Sequence, residues 1–376
     1  MKSEITKMAA AAALALGATQ AHAATSIGEF TTVSGFGTTA VAVTDSDEAE
    51  FVRYGQLSGA DDRPEFKVDS NLGLQLDMRP RNWVSATVQL LTQQRNGRNL
   101  DTSVEWAFVG FEPIDGLRAR VGRTAMPVFA ISDTRNVGFA NNWVRPPNEV
   151  YGLALMENLD GADVSWYLPV GDASLTFTAL YGESEVTVFA TDVEMKNVHG
   201  AAVQWDSEWV SIRVARILAD SQLDDLGIPG VSGEDRYEFN DIGVHVDRGN
   251  VVARAEYVTR SSDTFDDLVD ADGWYLYGGY RFGNVLPYAM YAVTEPDAGV
   301  QPGQLSSDQS TIAAGVRWDA FSAATLKFQV DYVDTDDTRG ISFLTDTFSP
   351  PGSGLTVALP VEEPVTVVSV AVDYVF

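Results

Sequence analysis

Segments of about ten residues that alternate apolar and polar side chains run through most of this chain. The stretches FKVDSNLGLQLDMR (66–79), ATLKFQVDYV (324–333) and the final VTVVSVAVDYVF (365–376) each place apolar side chains on one face and mostly polar or small ones on the other. A period of two residues is typical of a β-strand with one apolar face. Soluble strands are usually about five or six residues long, whereas strands that span a membrane need about 9–11. The length of these runs therefore favours membrane-spanning strands.

The first 23 residues, MKSEITKMAAAAALALGATQAHA, have the composition of a secretory signal peptide. Lys2 and Lys7 precede an alanine-leucine run, and Ala21 and Ala23 stand at the −3 and −1 places of a cleavage site. A membrane anchor is the alternative, but an apolar run of about a dozen residues is too short to span about 30 Å of hydrocarbon as a helix. We predict a signal peptide over 1–23 and one mature domain over 24–376.

Charge and hydropathy narrow the class of protein further. The formal net charge is -28 and the chain has no cysteine. A chain this acidic is not expected to bind nucleic acid, because such binding rests on neutralising phosphates. Mean hydropathy is -0.06, and no segment after the leader has 18 consecutive apolar residues, so no membrane-spanning helix is predicted. Strands of a transmembrane barrel average to neutral hydropathy in this way, because they alternate between lipid and lumen.

The alternating segments and the turn residues between them predict sixteen strands. Their approximate bounds are 29–43, 65–79, 82–93, 101–111, 116–123, 160–168, 173–182, 197–206, 208–218, 238–247, 250–260, 273–282, 285–294, 309–319, 322–334 and 365–376.

The connectors between these strands alternate between short and long along the whole chain. Seven are tight turns, and eight are predicted loops at 44–64, 94–100, 124–159, 183–196, 219–237, 261–272, 295–308 and 335–364. Short turns on one side and long loops on the other are typical of outer-membrane barrels with an even number of strands. We predict an all-β fold, a transmembrane up-and-down antiparallel β-barrel of about 16 strands.

The leader, the alternating strands and the terminal VAVDYVF resemble the Gram-negative general porins. The resemblance extends over 24–376. It implies a location in the outer membrane among lipid and lipopolysaccharide, a homotrimer, and a water-filled channel for passive diffusion of small hydrophilic solutes and ions. It also implies that the outer-membrane assembly machinery recognises the last strand, which ends at Phe376.

The third long connector, at 124–159, differs from the other loops because it carries little net charge. In porins the third loop folds into the barrel and narrows it. The resemblance therefore implies that polar side chains of this loop line the opening, although an aromatic-anchored surface loop remains the alternative. The acidic PEFGG-type tip of familiar porins is absent. The candidate lining residues are Asp133, Arg135, Asn141, Asn142, Arg145 and Glu149.

Arginine is frequent on the side of the strands predicted to face the lumen. Arginine holds its charge at physiological pH and pairs with carboxylate or phosphate. These side chains either form a cationic wall along the channel or pair with acids on neighbouring strands and stiffen the barrel. The acidic loops favour passage of cations, whereas the wall arginines favour passage of anions. The sequence therefore leaves the ion selectivity of the channel open. The candidate wall residues are Arg79, Arg118, Arg120, Arg213, Arg254, Arg281 and Arg317.

No catalytic, cofactor-binding or metal-binding motif is found. The chain lacks a phosphate-binding loop, a G-x-S-x-G elbow, an H-E-x-x-H helix and any cysteine, and its histidines are His22, His199 and His245. We predict a channel with no enzymatic activity, no cofactor and no metal. A substrate-specific channel for anions such as phosphate or carboxylates is the first alternative, and an outer-membrane enzyme or adhesin is the second.

Overall fold

The computed structural model describes residues 24–376 except 54, 96, 189–190, 223–232, 264–269, 297–307, 337 and 349–356. The predicted signal peptide, 1–23, lies outside the described residues. In the described part of the chain, no helix is long and apolar enough to cross a membrane.

Sixteen long strands form the wall of the molecule, as predicted. Every strand pairs antiparallel with the next. The strands are β1 (Thr31–Thr44), β2 (Asn71–Arg81), β3 (Val84–Gln94), β4 (Leu100–Ile114), β5 (Leu117–Ala125), β6 (Asn158–Val170), β7 (Ala173–Val188), β8 (Thr191–Asp206), β9 (Val210–Gln222), β10 (Glu234–Arg248), β11 (Val251–Ser262), β12 (Ala271–Tyr280), β13 (Val285–Pro296), β14 (Gln309–Phe321), β15 (Ala324–Asp334) and β16 (Val365–Val375).

The last strand closes the barrel. β16 pairs with β15 on one side and with β1 on the other. The backbone N–H of Gly35 donates to the carbonyl of Phe376 at 2.7 Å, and the N–H of Phe376 donates to the carbonyl of Gly35 at 2.9 Å. A Cβ at Gly35 would come within 2.2 Å of the Phe376 ring. The terminal aromatic side chain therefore lies over a glycine of the first strand at the closing seam.

One predicted loop is wrong. The segment 183–196 is mostly strand, because β7 continues to Val188 and β8 starts at Thr191. Register pairs such as Val186–Val193 extend the hairpin, and both of these valines are buried on the inner side. Their two-residue period continues past the bound that the sequence suggested. Glu185, Asp192 and Glu194 alternate with these valines and are exposed on the other face of the hairpin.

The outer face of the barrel is apolar in its middle and aromatic at its ends. Leu74, Val121 and Ile312 are exposed although they are apolar, as side chains that face lipid are. Aromatic rings lie near the tight turns, where a bilayer interface favours them. The exposed rings at this end include Trp83, Trp166, Trp205, Trp209, Tyr280 and Trp318.

The main apolar core lies inside the barrel, between the wall and the connector from β5 to β6. We call this connector, residues 126–157, the third loop. Its buried Met126, Phe129, Trp143 and Leu153 form one cluster with inward residues of the wall strands, such as Phe239. The prediction that the third loop folds into the lumen is confirmed.

Candidate functional site

The third loop crosses the lumen as irregular chain with three short helical turns. Two are 3-10 turns at Ser132–Thr134 and Gly138–Ala140, and the third is the α-helix α1 at Asn148–Tyr151. Pro147 is the N-cap of α1, with φ -63° and ψ 125°, and its ring fixes the φ at which the chain enters the helix. The sequence therefore makes a compact loop and not a flexible one.

Aromatic rings hold the loop against β10 and β12. Trp143 has 1% of its surface exposed, and its ring centroid lies 5.7 Å from that of Tyr275 and 5.6 Å from that of Tyr277, both edge-on. The ring of Phe129 meets Phe239 at 5.7 Å. Edge-to-face pairs of this kind add about 0.5–1.5 kcal/mol each beyond the area that they bury.

Arg145 joins the loop to two other parts of the barrel. Its Nε donates to both carboxylate oxygens of Asp69, at 3.0 and 3.1 Å, and its Nη1 donates to Asp331 of β15. The guanidinium also lies 4.8 Å from the ring centroid of Phe51. Arg145 has only 3% of its surface exposed, so it is placed to anchor the loop.

Glu149 and Asn148 of α1 are buried anchors as well. The Glu149 carboxylate accepts from Gln309 Nε2 at 2.6 Å and from the Thr311 hydroxyl. Burial raises the pKa of Glu149. Asn148 Nδ2 donates to the carbonyl of Val52 at 3.0 Å, which ties α1 to the loop between β1 and β2.

Cations of the wall bind backbone carbonyls of the loop. Arg213 Nε donates to the carbonyl of Val128 at 3.0 Å, and Arg317 Nη1 donates to the carbonyls of Phe139 and Asn141 at 2.9 and 2.8 Å. Lys327 Nζ donates to the carbonyls of Gly138 and Trp143, both at 2.8 Å. Irregular chain has carbonyls that no ladder satisfies, and these side chains supply the missing donors.

A glycine of β12 makes room for α1. A Cβ at Gly273 would lie 2.2 Å from the carbonyl oxygen of Glu149 and 2.8 Å from Leu153. The obstacle is backbone, which cannot rotate away. Gly278 of the same strand has nothing within 4 Å of its Cβ position.

Replacing Gly273 with valine should displace α1 from the wall. Overpacking of this kind costs about 1–3 kcal/mol, and here the loop can relieve it by moving into the lumen. We expect Gly273→Val to give unstable current levels in single-channel recordings and a lower unfolding temperature of the barrel. Gly278→Val is the matched control and should behave like the unaltered chain. Equal behaviour of the two variants would contradict the tight packing of α1.

The remaining predicted loop residues have different surroundings. The Asp133 side chain is 59% exposed and lies 3.7 Å from Arg120 Nη1. Arg135 Nη2 lies 2.9 Å from Glu157 Oε1 and forms an ion pair with it. Asn141 is buried and donates to the carbonyl of Thr134 at 3.0 Å. Asn142 is partly exposed. Of these four side chains, that of Asp133 has the largest exposed fraction.

The other candidate wall arginines differ in their contacts. Arg120 donates from Nε to both oxygens of Asp163 at 3.0 and 2.9 Å, whereas Arg118 on the same strand is exposed. Arg254 lies over the ring of Trp143, 5.1 Å from its centroid.

Two arginines lie near the tight turns. Arg79 Nη2 lies 3.9 Å from Glu112 Oε1, and Arg281 Nη2 lies 2.6 Å from Asp247 Oδ2. Both ion pairs are substantially exposed, so they are expected to contribute little to stability.

Partly exposed polar side chains remain on the inner face of β5 to β8. They alternate with lipid-facing residues and lie in the half of the barrel nearest the tight turns. They include Arg118, Ser165, Thr176, Gln204 and Asp206.

Sequence reasoning missed several charged residues that meet the loop. Asp69 belongs to the loop between β1 and β2, and it reaches Arg145 across 76 positions of sequence. Arg53, Arg95 and Glu157 surround an outer cavity together with Arg135. No local pattern indicates such contacts, because they join separate loops.

Comparisons with known proteins agree with this architecture. A model of the Gram-negative porin family matches residues 10–349. No curated protein sequence matches the chain significantly. OmpT of Vibrio cholerae in its trimer form is similar at 14% identity and a TM-score of 0.56, over 93% of this chain and 100% of that one. OmpF of Salmonella typhi in complex with daunomycin is similar at 12% identity and a TM-score of 0.58, over 92% of this chain and 97% of that one. The outer membrane channel DcaP of Acinetobacter baumannii is similar at 11% identity and a TM-score of 0.58, over 94% of this chain and 100% of that one.

Proposed function

The chain belongs to the Gram-negative porin family, and we propose that its passage for solutes runs beside the third loop, along the inner face of β5 to β8. The protein is a channel of the outer membrane that serves passive diffusion. A barrel of sixteen strands is wide enough to leave an aqueous lumen, and the packed third loop narrows that lumen.

The observation that carries this path is the distribution of polar surface inside the barrel. The loop presents its apolar side to β10 and β12, where Trp143 and Phe129 are buried. The exposed Asp133 carboxylate points away from that side and lies 3.7 Å from Arg120. Beyond it, Arg118, Thr176 and Gln204 keep part of their surface open to solvent.

Fixed charge inside the barrel favours anions in our proposal. Within the described residues, Arg118, which faces the proposed passage, takes part in none of the ion pairs. Asp206 faces the same space, but its carboxylate accepts from Gln204 Nε2 and the Ser211 hydroxyl. Arg213 and Arg254 add uncompensated charge on the neighbouring wall, where they contact the third loop.

Exposed acidic residues of the described outer loops include Asp47, Glu48 and Glu362, and salt screens such charges over about 8 Å at physiological ionic strength. Partly buried charges inside a narrow lumen are screened less, and charged side chains that line a pore contribute to its selectivity.

Single-channel recording with a salt gradient tests both the channel and its selectivity. We expect stepwise conductance of the refolded protein in a planar bilayer, and a reversal potential whose sign shows that chloride passes more readily than potassium. Arg118→Gln should shift the reversal potential toward cations, because it removes an unpaired charge from the proposed passage. Arg98→Gln removes an equally exposed arginine from an outer loop and should leave the potential nearly unchanged.

The opposite sign of the reversal potential would contradict the anion preference and favour the acidic loops as the selectivity element. Silence in a preparation whose gel mobility changes on heating, as that of a folded barrel does, would contradict an open channel. It would favour the adhesin or enzyme alternative. We propose that the protein has no catalytic activity, because the family that its sequence matches is one of channels.

We further propose that a leader over 1–23 is removed and that the mature chain, 24–376, assembles as a homotrimer. The trimer form of Vibrio cholerae OmpT supports the assembly, since its fold is similar. The apolar seam with Phe376 at its end supports recognition of the last strand by the assembly machinery. Outward ion pairs near the loop ends, such as Arg216–Glu238 at 2.7 Å, support contact with charged lipid or lipopolysaccharide headgroups.

A further inference from the structure

A cavity opens between the first, second and third long loops, above the third loop. Its volume is about 150 Å³, and its lining includes Arg53, Arg95, Arg135, Gln56 and Glu157. Three arginines thus surround one small space, and each comes from a different loop. The lining also includes Asn158 of β6 and Glu185 and Val186 of β7, so the cavity lies at the loop ends of strands along which we place the passage.

Two of the three arginines are already paired. Arg95 Nη2 binds Glu105, and its Nη1 lies 3.6 Å from Glu157. Arg135 Nη2 lies 2.9 Å from Glu157. Their charges are therefore compensated by protein carboxylates, and their guanidinium groups are held in place.

Arg53 has no such partner. None of the ion pairs of the described residues includes its guanidinium. Asp69 and Glu157 act on Arg53 from further away, but Asp69 is bound to Arg145 at 2.5 Å and Glu157 to Arg135 at 2.9 Å. The side chain is partly buried, and burial lowers the pKa of Arg53. A partly buried arginine with no counterion is costly, and an anion in the cavity would relieve that cost.

The backbone around Arg53 is fixed. The N–H of Arg53 donates to Gln56 Oε1 at 2.9 Å, and Gln56 Nε2 donates to the carbonyl of Val68 at 2.9 Å. The N–H of Val52 donates to the carbonyl of Ser342 at 2.8 Å. These bonds fix the backbone position from which the Arg53 side chain reaches the cavity, so binding has only the side chain to order.

We propose that Arg53 binds the carboxylate of a small organic acid in this cavity on its way into the channel. The inference rests on the proposed anion-passing function and names a class of solute for it. A volume of about 150 Å³ accommodates a benzene-sized molecule, which is the scale of a short carboxylic acid. A planar carboxylate matches the fork of one guanidinium. One uncompensated guanidinium balances the single charge of a monocarboxylate, whereas a dianion such as phosphate would leave one negative charge unbalanced in the cavity.

Calorimetric titration of the detergent-folded protein with butyrate, a monocarboxylate, tests the site. We expect saturable binding to the unaltered chain and binding about tenfold weaker for Arg53→Gln. Arg53→Lys keeps the charge but loses the fork, so its affinity should be intermediate. Arg98→Gln is the matched control, because Arg98 is an exposed arginine of a neighbouring loop that does not line the cavity. Its affinity should stay within about twofold of the unaltered chain.

Three results would overturn the proposal. They are the absence of butyrate binding by the folded chain, equal affinity of Arg53→Gln and the unaltered chain, and phosphate binding as tight as butyrate binding. If Arg53→Gln does not fold, Arg53→Lys decides in the same way. Conductance in potassium chloride is recorded on the same preparations. Binding without conductance would contradict the proposed channel but support the carboxylate site at Arg53. Conductance without binding would contradict that site but support the channel.

Discussion

A chain that lacks residues 365–376 should not form a barrel at all. Removal of β16 leaves β15 and β1 with unpaired backbone groups, because both strands pair with it. In hydrocarbon each unpaired group costs several kcal/mol, and the nine register pairs between β1 and β16 are lost together with the ten between β15 and β16. We expect no heat-dependent shift in gel mobility after refolding into detergent or lipid, and no channel activity.

The control for this truncation is removal of residues 24–28. The short strand Thr25–Ser26 pairs with β1 through only two register pairs, and the ring of sixteen strands stays closed without it. This variant should refold with the same mobility shift as the full mature chain. A folded, conducting barrel without residues 365–376 would show that closure by the last strand is not required.

Replacing Arg145 with alanine should free the third loop from the wall. Asp69 and Asp331, which have 5% and 3% of their surfaces exposed, would then be buried without a counterion. Loss of one partner from a buried ion pair costs about 3–5 kcal/mol. We expect the loop to leave its packed position so that both carboxylates gain water. Single-channel conductance should rise severalfold, and the barrel should unfold at a lower temperature.

Two further variants separate the charge from the packing of Arg145. Arg118→Ala removes an exposed arginine of β5 and should leave the unfolding temperature unchanged. The triple variant Arg145→Met, Asp69→Asn, Asp331→Asn removes all three charges together and should recover most of the lost stability, since buried ionic groups can often be replaced by neutral ones. If Arg145→Ala conducts like the unaltered chain, Arg145 does not hold the loop.

The sixteen strands were predictable because a strand that faces lipid on one side and the lumen on the other must alternate. The loop expected at 183–196 is wrong because acidic residues there alternate with Val186, Val193 and Met195, so the two-residue period of the strands continues into this segment. The position of the long third connector was also readable, because tight turns and loops alternate along the chain.

The sequence by itself determined the barrel, its strand number and the closing role of the strand that ends at Phe376, since these follow from local periodicity and from the absence of free edges in hydrocarbon. Only the tertiary structure decided what the charged residues do. Arg145, Arg213 and Arg317 have the same residue type as Arg53, yet the first three bind carboxylates or carbonyls of distant segments and Arg53 has no described ion-pair partner. Which partner an arginine meets depends on how separate loops pack inside the barrel, and no repeat in the sequence encodes that packing.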